Sequence, residues 1–177
     1  MIHVGEGKGK SCVLAIREHL SDKGVAPEQI RQASMDLSPA FIAGVKEAFP
    51  NAQITFDRFH VVKLLNEAMD AVRKVERKEH DSLKGHKYTF LKNPQTLSNG
   101  QQQQLAELIR LYPTLGEAYR LKTVFNDLWD MPDKRHAHAF LAQWCAEVNA
   151  AKIPAFQTFA KTVISHWNGI VHFVESR

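Results

Sequence analysis

The sequence predicts an α/β part followed by an all-helical part, and three observations carry that reading. Up to about residue 80, short runs rich in β-forming residues alternate with amphipathic helical patterns. Beyond it the strand signals vanish, and helical periods separated by breakers remain. Hydrophobic residues make up 44% of the chain and charged residues 24%, the balance of a folded, water-soluble protein and not of a disordered one. Residues 1–80 therefore read as one region and 81–177 as another, in a chain whose 177 residues suffice for one ordinary domain or for a domain carrying one large insertion.

Taken in order, Ile2 to Val4 form a strand fragment, followed by the glycine-rich turn Gly5 to Lys10. Val13, Leu14, Ile16 and Leu20 then recur near helical spacing, with Ser11 expected to cap the start and Gly24 to end the helix in a left-handed conformation. Pro27 opens a turn or short helix, and "IRQASMD" is a buried strand ending at Asp36. Ser38-Pro39 supplies a cap and a proline at the first helical position, and Phe41, Ile42, Val45 and Phe49 give that helix an apolar face until Pro50-Asn51 stops it. "AQITFD" alternates as a second strand ending at Asp57, and from Phe59 onward Val62, Leu65, Ala68, Met69 and Val72 mark a long helix to about Glu79. Lys84 to Gly100 reads as a polar connecting loop. Gln101 to Gln104 open a helix that continues through Leu105, Leu108, Ile109 and Leu111, and further helices are expected over Leu115 to Trp129, Lys134 to Ala151 and Pro154 to Val174. Two or three strands make a poor sheet, so the α/β part looks cut short.

Several function classes recede at once. Cys12 and Cys145 form no CxxC pair, which argues against a zinc knuckle or a disulfide scaffold and fits a reducing cytoplasm. "MIHVGEGKGK" lacks a signal-peptide apolar run, and no stretch approaches membrane-span length, so a cytoplasmic location without membrane insertion is expected. A formal charge of +4 leans toward polyanion binding without identifying a partner.

Asp36, at a strand end before a capped helix, has the address of a metal ligand at the carboxyl edge of a sheet. Capping of the next helix competes as an explanation. Asp57 and His60 form D-x-x-H at a strand-to-helix junction, where a three-residue offset lets both side chains face one direction and share a metal. Alternatively, Asp57 caps the helix and bonds to His60 or to a backbone amide. "VGEGKGK" does not match the phosphate-loop spacing G-x-x-x-x-G-K-[ST], although Lys8 and Lys10 can touch a nucleic-acid backbone. His136 and His138 sit too near in sequence to share a metal from one helix face, and Trp129, Trp144 and Trp167 suit core packing better than base stacking. His166, Trp167 and Asn168 before Gly169 suit a helix distortion or close packing. Basic residues from Arg58 to Lys92, including Lys63, are interrupted by acids and read first as a solvated face, with Arg58 and Lys63 as candidate DNA contacts.

The stretch "MDLSPAFIAGVKEAFPNAQITFDRFHVVKLLNEAMDAVRK", with "HVGEGKG" before it and "HWNGIVHF" after it, resembles the DDE transposases of bacterial insertion sequences, in the group named ISL-three. The resemblance implies a partial RNase H-like core with a large all-α insertion. It also implies a metal-dependent enzyme that cleaves and joins DNA, holding Mg²⁺ or Mn²⁺ through two Asp and one Glu, with insertion-sequence ends and target DNA as partners and a homo-oligomer as a possible assembly. By position Asp36 looks like the second catalytic aspartate and a metal ligand, with Asp57 and His60 as the accompanying D-x-x-H signature. The first aspartate and the glutamate are expected on segments before Ile2 and after Arg177, so Glu175 does not match. On that reading the chain is a truncated transposase that neither cuts DNA nor holds metal tightly alone. Competing readings are a non-catalytic DNA- or protein-binding helical module and a small metal- or nucleotide-dependent enzyme built on Asp36, Asp57 and His60.

Overall fold

The computed structural model describes Gly7 and residues 9–175; the expected strand at Ile2 to Val4, and Lys8, lie outside the described residues. The chain divides into two compact units, one of residues 1–61 and 166–177 and the other of residues 62–165. The division falls inside the long helix that ends at Glu79.

In the first unit, helix α1 (Lys10–Ser21) leads through a 3₁₀ turn at Pro27–Gln29 to strand β1 (Gln32–Met35). Helix α2 (Pro39–Ala48) then crosses to strand β2 (Gln53–Phe56). The strands pair in parallel, with Gln32 opposite Gln53 and Met35 opposite Phe56. Ser11 does not cap α1: Gly9 holds the N-cap position and makes no side-chain bond, because the helix starts two residues earlier than the serine would allow. Gly24 does adopt a left-handed φ of 77°, and the next amide, Val25 N–H, reaches back to the Leu20 carbonyl at 3.0 Å, closing the helix end.

Val13, Val45, Ala48 and Phe49 form the centre of this unit's core, with Leu14, Ile16, Met35, Phe41 and Ile54 packed around them. Gly44 permits the approach of α1 to α2, since a Cβ there would stand 2.9 Å from Val13 Cβ. The unit is completed by helix α9 (Trp167–Glu175), which lies against β2. There His172 Nδ1 donates to the Ile54 carbonyl at 3.1 Å, and its other ring nitrogen accepts from the Gln53 amide, a pair that one neutral tautomer satisfies. A Cβ on Gly169 would run into the Phe56 ring, so the close packing anticipated around this glycine is against a strand. The single helix expected over Pro154 to Val174 is accordingly two, α8 (Pro154–Ser165) and α9, separated at His166.

The second unit contains most of helix α3 (Arg58–Glu79), then α4 (Lys87–Leu91), α5 (Asn99–Leu111), α6 (Pro113–Phe125), α7 (Lys134–Ala151) and α8. Leu65, Met69 and Val72 bury the apolar stripe of α3 as its period requires. The polar stretch expected to be a loop carries α4 and a 3₁₀ turn at Pro94–Thr96, because Phe90 and Leu97 are buried and anchor it. Ser98 opens α5 with a capping box: its hydroxyl accepts from Gln101 N–H, and the Gln101 side chain accepts from Ser98 N–H. Trp129 and Trp144 are core residues, the latter donating its indole N–H to the Leu121 carbonyl at 2.9 Å and packing edge-on against Phe125. No described helix is long and apolar enough to cross a membrane.

Candidate functional site

Parallel pairing places the two aspartates. Asp36 follows Met35 and Asp57 follows Phe56, and those two residues are register partners. The Asp57 N–H extends the ladder by donating to the Met35 carbonyl at 2.9 Å. Both chains therefore leave the sheet side by side at its carboxyl edge, where each turns into a helix.

At the first junction Asp36 Oδ1 accepts the Ser38 N–H at 2.9 Å, while the Ser38 hydroxyl makes no capping bond to α2. The capping alternative thus holds in altered form, since Asp36 closes the turn before the helix with one carboxylate oxygen. Its Oδ2 makes no hydrogen bond among the described residues. The half-buried carboxylate lines a cavity of about 420 Å³ walled by Cys12, Val13 and Ile16 of α1, by β1 and by α2, with His60 at its margin.

At the second junction Asp57 Oδ1 accepts the Phe59 N–H at 2.9 Å, which fixes the first turn of α3. Asp57 Oδ2 lies 3.3 Å from His60 Nδ1, close enough for charge attraction. The alignment is too poor for a hydrogen bond, so this buried ring nitrogen is left without a hydrogen-bond partner. Asp57 therefore both caps the helix and stands beside the imidazole, whereas His60, and not Asp57, reaches the cavity that holds Asp36.

Lys10 pairs with Glu47 across the α1–α2 face, both side chains about half exposed, so much of its charge is already engaged. Arg58 and Lys63 are exposed on α3. His136 and Asp133 pair at the solvated start of α7, where the Asp133 carboxylate accepts the His136 N–H at 2.9 Å. Glu175 closes α9. Among the described residues, no three His, Cys, Asp or Glu side chains gather in a group able to hold a metal ion. The sequence reading passed over Cys12 and Ser34, which share the cavity with Asp36, because nothing in one-dimensional spacing brings α1 to the face of β1.

The whole chain, residues 1–177, matches a family described as transposase. It is 25% identical over 179 residues to the transposase for insertion sequence element IS1001 of Bordetella parapertussis, covering 97% of this chain and 44% of that protein. It is 26% identical over 166 residues to the transposase for insertion sequence element IS1557 of Mycobacterium tuberculosis, covering 78% of this chain and 37% of that protein. The chain thus spans less than half the length of these relatives. No solved structure matches it. With a family match that runs from the first residue to the last, the chain belongs to the ISL-three family of transposases.

Proposed function

We propose that this chain is part of the catalytic region of a DDE transposase, that Asp36 is one of its metal-binding carboxylates, and that its substrate is DNA at insertion-sequence ends and at the target. The observation that carries the reading is Asp36 itself: at the carboxyl edge of a parallel strand pair, it commits one oxygen to Ser38 N–H and lines a cavity with the other end of its carboxylate available. An oxygen ligand there suits Mg²⁺ or Mn²⁺, both hard cations. The single carboxylate fits one coordination position of such an ion, so further ligands must complete the set.

The bound ions supply Lewis-acid stabilisation of the charge that develops on phosphoryl oxygens. This chain's own part is to hold that charge centre at the strand end, using a carboxylate whose direction the Ser38 amide fixes. In the reaction an oxygen of water or of a 3′-hydroxyl forms a bond to phosphorus, and the opposing P–O bond breaks, its electrons leaving with the departing oxygen. Asp57 and His60 are read as supporting groups, with Asp57 positioning the imidazole at the edge of the Asp36 cavity. The helical region after residue 80 is read as an all-α insertion into an RNase H-like core.

Paramagnetic broadening of backbone amide resonances by Mn²⁺ tests the assignment of Asp36. Broadening centred on Met35 to Ser38, and lost in Asp36→Asn, is the expected result; broadening that is unchanged by the substitution refutes it. With Mn²⁺ and labelled DNA carrying element ends, the isolated 177-residue chain is expected to leave the DNA uncut, and cleavage abolished by Asp36→Ala would overturn that expectation.

A further inference from the structure

Among the described residues, the large apolar side chains left most exposed are Phe59, Val75, Tyr88, Leu111 and Ile164. Four of them lie in the helical unit, and Phe59 belongs to the unit that carries Asp36 and Asp57. An isolated exposed phenylalanine needs no explanation by itself. Phe59 differs because its position is built. Its backbone N–H is held by Asp57 Oδ1 at 2.9 Å, and its ring stands at 90° to the His60 imidazole with centroids 5.5 Å apart. The backbone that carries the ring is thus held by Asp57, and the ring itself meets the His60 imidazole edge-on, while 69% of the residue stays in solvent. It also falls outside the buried stripe of α3 that Val61, Leu65 and Met69 define, so core packing does not account for it. The adjoining Arg58 is exposed and cationic.

We propose that Phe59 is a stacking platform for a nucleobase of the DNA strand engaged at the carboxyl edge of the sheet. This inference rests on the reading of that edge as a DNA site and names how the edge holds its substrate. An aromatic face takes any of the four bases, and a neighbouring guanidinium is complementary to the phosphate that follows the base. The combination of held backbone, solvent exposure and adjacent cation fits an unpaired or splayed base, whose faces are accessible, and not a base inside a duplex stack.

Binding of the whole 177-residue chain to a short single-stranded oligonucleotide containing 2-aminopurine, followed at low salt by anisotropy and by base fluorescence, tests the assignment. Phe59→Ala is expected to weaken binding about 5- to 100-fold, the scale of one base–aromatic stack. Phe59→Trp is expected to keep the affinity and to quench 2-aminopurine, whereas Phe59→Leu, which preserves an apolar side chain without a π face, behaves like the alanine variant. Unchanged urea midpoints establish that the variants fold. Equal affinity of wild type and Phe59→Ala overturns the stacking role and leaves the DNA-site reading standing; absence of any salt-sensitive binding by the wild type overturns both. Self-association that Phe59→Ala abolishes, with DNA affinity untouched, assigns the ring to a contact between copies and likewise overturns the proposal.

Discussion

Lys122 is buried to 2% exposure within α6, and among the described residues no carboxylate pairs with it. Its Nζ donates to the Lys92 carbonyl at 3.0 Å and stands 5.2 Å from the centre of the Tyr119 ring. Burial penalises the ammonium and lowers its pKa from 10.5 to about 8. The unfolded chain therefore holds the proton up to about pH 10.4, whereas the folded chain releases it from about pH 8 upward. Between those limits the unfolded state binds more protons, so the contribution of this residue to stability rises with pH. Below pH 8 both states are charged, and the burial penalty is present in full. At ~1.4 kcal/mol per pH unit, the rise from pH 8 to pH 9.5 is about 2 kcal/mol. The assay is urea unfolding, followed by tryptophan fluorescence between pH 7 and 9.5, of the wild type and of Lys122→Met, a change of similar volume. Stopping at pH 9.5 avoids the ordinary tyrosine range. The stability difference between the two proteins is expected to shift toward the wild type by about 2 kcal/mol over that interval. Parallel curves would refute the reasoning, because they would mean that the carbonyl and the aromatic ring compensate the buried charge completely.

Two further outcomes follow from packing and charge. Gly169→Ala is expected to cost about 1–3 kcal/mol in urea unfolding, since the new methyl meets the buried Phe56 ring and the Ile54 carbonyl lies 3.3 Å away; Phe56→Leu in the same background should recover part of the loss. Asp70 and Arg73, 7% and 5% exposed, are joined by a hydrogen bond from Arg73 Nε at 2.8 Å and an ion-pair contact from its Nη2 at 2.7 Å, with Lys74 adding a third contact at 3.1 Å. Burial alone would raise the Asp70 pKa, but the bonds from Arg73 and Lys74 outweigh it and hold the carboxyl below its ordinary value. Its stabilisation is therefore complete above about pH 4 and is lost as pH falls through the lowered value. Asp70→Asn should cost about 3 kcal/mol at pH 7, the scale of a buried cation left without its counter-charge. The gap between variant and wild type should narrow in acid unfolding below pH 4, and a constant gap would count against the linkage.

How much of the fold is legible in the sequence depends on whether a feature is local. Pro39 at the first helical position, the alternation in "QITF" and the long stripe read from Val62 to Val72 each act through a few neighbouring residues, and the corresponding elements fall where the patterns place them, although it is Val61 and not Val62 that is buried at the start of the stripe. Helix α4 escaped notice because five residues give no period to read, and it is held by the burial of Phe90, a tertiary fact. The break at His166 was visible only as an ambiguous glycine. What the glycine itself answers to is β2, more than a hundred residues earlier, whose Phe56 ring leaves no room for a Cβ at position 169. Lys122 reads as an ordinary surface lysine of an amphipathic helix, and only the packing of the Lys92 carbonyl against it reveals the burial.

The candidate site divides in the same way. Each aspartate could be placed at a strand end from its own flanks, yet their adjacency requires the parallel register, which a separation along the chain does not specify. The register also changes what D-x-x-H means. Asp57 spends Oδ1 on the first turn of α3 and approaches His60 with Oδ2, so its geometry is explained without a metal. Asp36 spends a single oxygen on its turn and faces a cavity with the rest of its carboxylate. Equal in sequence, the two residues diverge in local bonding: Asp57 caps the first turn of a helix and stands beside its histidine, whereas Asp36 closes a turn and lines a cavity. That asymmetry is the ground on which we propose the metal role for Asp36 and a supporting role for Asp57. Asp57→Asn should accordingly disturb the orientation of His60 before it disturbs metal binding, whereas Asp36→Asn should do the reverse.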